Sequence, residues 1–121
     1  MQPEEELITR TEKTGDWFVI FLYGKFVVKN LTRIRQVFEE AEKALFPNTA
    51  IDLSNVTHID SSAITLLANF HKRLLEKGSG SIIIGAAPDI SEIFSIVGLD
   101  KVIPINTNQN YYENIIQNKK N

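Results

Sequence analysis

The chain has 121 residues, 43% of them apolar and 23% charged, with a formal net charge of −2 and no cysteine. That length and mix fit one globular domain and exclude collagen-like and disordered classes. The missing cysteines exclude disulfides, thiolate catalysis and Cys-based zinc sites. The balance of charge lacks the basic face that nucleic acid requires. No apolar run approaches the ~20 residues that span a bilayer. The acidic start, Met1-Gln2-Pro3-Glu4-Glu5-Glu6, is the reverse of a signal peptide's basic start, which points to a cytoplasmic protein. His58 and His71 lie thirteen positions apart, no recognised local ligand spacing, so neither a metal nor a cofactor is expected.

Along the chain the apolar period changes several times. Leu7 to Lys13, with β-branched Ile8, Thr9 and Thr11, reads as an edge strand. Gly15-Asp16 is a turn signal, and Trp17 to Tyr23 reads as a central strand buried on both faces, ended by Gly24. Asn30 or Thr32 can cap a helix whose stripe is Leu31, Ile34, Val37, Phe38, Ala41 and Leu45, stopped by Pro47-Asn48. Thr49 to Leu53 is a short strand, and Ser54 to Asp60 a polar loop. A second helix from about Ser61 carries Ala63, Ile64, Leu66, Leu67, Phe70 (or His71) and Leu74, and ends at Lys77-Gly78. His71 falls near the edge of that stripe. Ser81 to Ala86 is an Ile-rich strand. Pro88-Asp89 opens a third helix with Ile90, Ile93, Phe94 and Val97, capped by Gly98. A strand at Val102 to Ile105 and a tail helix from about Asn108 to Gln117, with Tyr112, Ile115 and Ile116 inward, complete the order β β α β α β α β α. Such alternation predicts a single α/β domain, a mixed but mostly parallel sheet of about five strands with helices packed alongside. Its core spans about residues 7–118, with residues 1–6 and 118–121 frayed.

In an open α/β sheet, functional groups gather beyond the carboxyl ends of the strands. There the sequence places Val56-Thr57-His58-Ile59-Asp60-Ser61-Ser62. Asp60 or Ser61 as a helix N-cap, contributing about 1 kcal/mol, accounts for this pair with no further role. The functional reading makes Ser61 a phosphoacceptor. A serine at a helix start is accessible, and the positive end of the helix dipole accommodates a charge of about −2 without melting the helix. Thr65, one turn on, is a second hydroxyl on that helix. A Ser-His-Asp set of Ser61, His58 and Asp60 lacks the nucleophile-elbow pattern and its glycines. Phe26, Val27 and Val28 form an apolar run after a strand, so at least one faces solvent or a partner. A docking surface built from Gly24 to Asn30, Val56 to Ser62 and Ala87 to Ser91 follows if these segments all cap parallel strands.

The strand Ile51-Asp52-Leu53, the Asp60-Ser61-Ser62 segment, Leu66 and Leu67, the Gly78 turn, the Ile-rich strand, Pro88 and the stretch Phe94 to Leu99 together resemble a STAS domain over about residues 7–118. This is the family of anti-sigma factor antagonists. The resemblance implies that Ser61 is phosphorylated, with Thr65 a possible second site and Asp60 and Ser62 its neighbours. It implies a partner surface of Gly24, Phe26, Val27, Asn30, His58, Asp60 and Ser61. The implied partner is an anti-sigma factor with serine kinase activity, bound when Ser61 is unphosphorylated, so that a sigma factor is released. A serine phosphatase would reset the switch. No enzymatic activity, nucleic acid or membrane is implied, and the protein is a monomer or weak dimer. The alternative is a non-phosphorylated scaffold or ligand-sensing module in a larger signalling assembly. Three departures from the family pattern stand out: Ala63-Ile64-Thr65 replaces Gly-hydrophobic-Gly, Val27 replaces an acidic residue, and Thr65 adds a second hydroxyl one turn after Ser61.

Overall fold

A computed structural model describes residues 6–108 and 110–117. Strand β1 (Ile8–Thr14) turns back at Gly15 into β2 (Trp17–Phe26), which pairs with it antiparallel from Ile8↔Tyr23 to Thr14↔Trp17. Then follow α1 (Leu31–Ala44), β3 (Asn48–Ile59), α2 (Ser61–Glu76), β4 (Ser81–Ile84), α3 (Pro88–Val97) and β5 (Ile105–Asn106). The sheet order is β1-β2-β3-β4-β5, and every pair after the first is parallel. This is the single α/β domain that the alternation of periods implies. The expected fraying of residues 1–6 and 118–121 lies, apart from Glu6, outside the described residues. No helix among the described residues is long and apolar enough to cross a membrane.

Consecutive parallel strands joined by helices demand crossovers, and crossovers of one hand stack the helices on one face. The core follows. Phe18, Ile20 and Leu22 of β2, Ile51 and Leu53 of β3 and Ile83 of β4 pack with α1, α2 and α3. Trp17, Val19 and Phe21 point the other way, with Ala50 and Ile84, and meet Ile116, Tyr111 and Tyr112 of the C-terminal segment. Two covered faces explain why Trp17 to Leu22 is apolar throughout, with no polar alternation. Between α1 and α2, the rings of Phe38 and Phe70 stack at 4.2 Å. At the rim of that contact, Arg73 of α2 and Lys77 at its C-cap both reach Glu42 of α1.

Several boundaries differ from the sequence reading. β2 runs past Gly24 to Phe26, and β3 runs to Ile59, so His58 lies on a strand and not in a loop. The outer half of β3 pairs with the outer half of β2 (Tyr23↔Asn55, Gly24↔Val56, Lys25↔His58), and two register shifts break the period of two. A bulged strand of that kind reads as a polar loop. Leu45 is left-handed at the α1 C-cap and 43% exposed, and Phe46 packs on the core in its place. On α3 only Ile90 and Phe94 are buried, while Ile93 and Val97 are exposed, because the helix covers only the short outer strands. β5 starts at Ile105, since Leu99–Lys101 forms a 3₁₀ turn that displaces it. The tail is a six-residue π-type turn, Tyr112–Gln117, which buries Ile116 and leaves Ile115 exposed.

His71 is not at a boundary but buried. Its Nδ1 lies 2.7 Å from the Ser81 hydroxyl and 3.2 Å from the Ser81 N–H. Burial lowers its pKa from the ordinary 6.5. The unfolded chain therefore takes up a proton near pH 6.5 that the folded chain refuses until lower pH. Stability is full above that value and falls between it and the lower folded pKa, by at most about 1.4 kcal/mol per pH unit. Urea midpoints at pH 7.5 and 5.5 are expected to differ more for the wild type than for His71→Phe. Equal differences would show that His71 is not desolvated.

Candidate functional site

The loops that follow parallel strands share one edge of the sheet. After β2 the chain makes a single 3₁₀ turn, Val28–Asn30, before α1. After β3 it passes through Asp60 into α2. The two are joined directly. Asp60 sits at the N-cap of α2 in extended conformation, and its Oδ1 accepts the Ala63 N–H at 3.0 Å. Its Oδ2 accepts the Val28 N–H at 2.9 Å. One carboxylate thus caps a helix and straps the neighbouring turn to it. Asn30 contributes from the other side, its Nδ2 donating to the Lys25 carbonyl at 2.8 Å. Ala87 to Ser91 follows β4 at the same edge of the sheet, at the start of α3.

This strap fixes the environment of Ser61. The residue is the first of α2 and is exposed. Its N–H and that of Ser62 have no protein partner among the described residues, so the positive end of the helix is open beside it. Ser62 is half-buried, and Thr65 is exposed one turn on. Ala63, where the family pattern has glycine, has its methyl group in the core with no exposure. A glycine is therefore not needed for the helix to start here.

A groove of about 400 Å³ between α1 and α2 is lined by Val28, Leu31, Arg35, Ser61, Ser62 and Thr65. Arg35 has no ion-pair partner among the described residues. Sequence reasoning missed it. The available signal was its position four residues after Leu31, which places both on one face of α1.

The expected partner surface divides under this geometry. Val27 is half-buried and Val28 is 63% exposed, so the apolar run does send a side chain to solvent. Phe26 does not belong there. It is fully buried at the end of β2, packed in the helix-side core, and cannot touch a partner. Gly24 lies in β2, with its φ at +115°. His58 is exposed on β3, and its Nδ1 meets the Thr57 hydroxyl at 2.9 Å. No hydrogen bond among the described residues joins His58 to Ser61 or Asp60. Asp52, the carboxylate on β3, accepts from the Ser54 N–H and hydroxyl.

Among the described residues no cluster of three His, Asp or Glu side chains could hold a metal. A search of curated proteins finds no match. Among solved structures, an anti-sigma factor antagonist from Mycobacterium paratuberculosis is 21% identical with a TM-score of 0.82, over 96% of this chain and 97% of that one. The phosphorylated form of SpoIIAA, a Bacillus cell fate determinant, is 17% identical with a TM-score of 0.66, over 89% and 99%. A putative anti-sigma factor antagonist from Thermotoga maritima is 18% identical with a TM-score of 0.76, over 88% and 93%. These likenesses establish the fold. The STAS domain model matches residues 9–113, and the chain belongs to the STAS domain family.

Proposed function

We propose that this protein is an anti-sigma factor antagonist, a protein-binding switch controlled by phosphorylation of Ser61. The unphosphorylated form binds an anti-sigma factor with serine kinase activity in the cytoplasm, and the sigma factor is released. Phosphorylation ends the binding, and a serine phosphatase restores it. Thr65 is a second candidate acceptor on the same helix face.

The observation that carries this reading is the division of labour between Asp60 and Ser61. Asp60 spends both carboxylate oxygens on the fold. Ser61 is exposed, at the positive end of α2, and has no structural duty among the described residues. A phosphate there meets two open N–H groups and a groove lined by Arg35, so the helix tolerates it. What changes is the docking face, which acquires charge and bulk beside Val28. An apolar Val27–Val28 edge without the family's acidic residue calls for a partner surface that is apolar at this point.

The test pairs mass spectrometry of the protein recovered from its own cells with pull-downs by wild type, Ser61→Ala and Ser61→Asp. Phosphate on Ser61 is expected. The kinase is expected on the first two baits and depleted at least tenfold on the third, with all three melting within a few degrees. Identical partners on all three baits would reduce Ser61 to a helix-start residue and favour the scaffold reading.

A further inference from the structure

We propose that a cleft at the opposite, strand-start edge of the sheet binds a neutral, largely apolar small molecule bearing a carbonyl-type acceptor. The cleft measures about 540 Å³, within the range of small-ligand sites. It crosses the edge where β3 and β4 begin, from α2 on one face to the C-terminal segment on the other. Ser61 lies beyond the far ends of these strands, so the site is separate from the docking face and does not rest on its assignment.

Its walls are apolar and partly rigid. Trp17 and Tyr111 meet edge to face at 6.2 Å and form one corner. Leu75 and Ile115 stand at the rim, 56% and 38% exposed, with Ile82 between the two faces. No charged side chain lines the cleft. An anion or cation entering it loses water and gains no counter-charge, which selects a neutral ligand.

The second, independent observation is a buried hydroxyl with no partner, that of Thr49, in a cleft onto which His71 also opens a ring donor. His71 lines the cleft and is only 5% exposed. The Ser81 N–H donates to its Nδ1, so Nδ1 carries a lone pair and the neutral ring holds its proton on Nε2. That Nε2–H has no partner among the described residues. The Thr49 hydroxyl, which lines the same cleft, is buried and has no partner among the described residues. Buried polar groups are nearly always satisfied, and exceptions call for a missing partner. A carbonyl oxygen on an apolar body supplies one. A peptide strand does not suit the place, because the cleft crosses strand starts and offers no ladder of backbone groups to extend.

The experiment uses the full chain and 6-propionyl-2-dimethylaminonaphthalene, a neutral aromatic ketone whose emission shifts to the blue in apolar sites. Saturable binding with a blue shift is expected, with amide and indole NMR shifts gathered on Trp17, Ser81, Ile82 and Tyr111. Leu75→Glu changes an exposed rim residue, so the fold should survive, and it is expected to weaken binding at least tenfold. Acetophenone should displace the probe better than toluene from wild type, and no better than toluene from His71→Phe. Absence of saturable binding, shifts gathered on α3 or on the α1–α2 groove, or unchanged affinity in Leu75→Glu would each overturn the proposal.

Discussion

Gly24→Ala is expected to lower stability by about 3 kcal/mol, a fall of roughly 10 °C in melting temperature for a domain of this size. Two costs add. The residue has φ at +115°, a conformation that side chains rarely adopt. A Cβ built there would also lie 2.8 Å from the carbonyl oxygen of Glu6 and 3.6 Å from the Cα of Leu7. The obstacle is backbone and cannot swing aside as a side chain would. Relief requires the segment before β1 to lift, and that segment carries Leu7, which is only 3% exposed in the core. Gly15→Ala separates the two terms. Gly15 also has positive φ, at +57°, but nothing stands within 4 Å of a Cβ there. It should cost about 1 kcal/mol. Equal losses for the two variants, measured by urea unfolding, would show that the close approach of Glu6 carries no energy.

That contrast also marks where sequence reasoning reaches and where it stops. The alternation of periods yields the element order and the mixed sheet, because Trp17 to Leu22 is apolar on both faces and the helical stripes recur at steps of three and four. Ser61 as the start of α2 is legible as well, since Asp-Ser-Ser before an apolar stripe is a capping signal. Local pattern does not disclose which strand half another strand covers. The bulged pairing of Tyr23 to Phe26 with Asn55 to Ile59 disguises nine residues of strand, Gly24 to Phe26 and Ser54 to Ile59, as a turn and a loop. The same blind spot misplaces Phe26. An aromatic residue after a glycine looks like a loop residue, yet the strand continues and carries it into the core. His71 reads as peripheral because its partner, Ser81, lies on the next strand. The role of Asp60 is half legible. Its capping of Ala63 is a contact over three residues, but its bond to Val28 spans thirty-two.

That long-range bond makes Asp60→Ala the second large effect, about 2–3 kcal/mol. An N-cap aspartate contributes about 1 kcal/mol, and a hydrogen bond to a charged group about 1.5–3 kcal/mol. The Val28 N–H lies near the surface and can recover water, which keeps the total toward the lower figure. Asp60→Ser distinguishes cap from strap. Serine caps helices well but its short hydroxyl serves one N–H, so it should recover the helix start and leave Val28 released. Its loss should fall between the wild type and the alanine variant. Amide exchange at Val28 should quicken in both variants, while exchange within α2 quickens only in Asp60→Ala. Serine fully restoring both stability and Val28 protection would remove the strap from the account. The consequence for docking follows from position. With the strap cut, the Val27–Asn30 turn no longer holds a fixed place beside Ser61. The proposed docking surface then comes apart although no residue proposed to accept phosphate has changed. Affinity for the proposed anti-sigma factor partner should therefore fall in Asp60→Ser even where the helix start is intact, and a fall confined to Asp60→Ala would assign the loss to α2 alone.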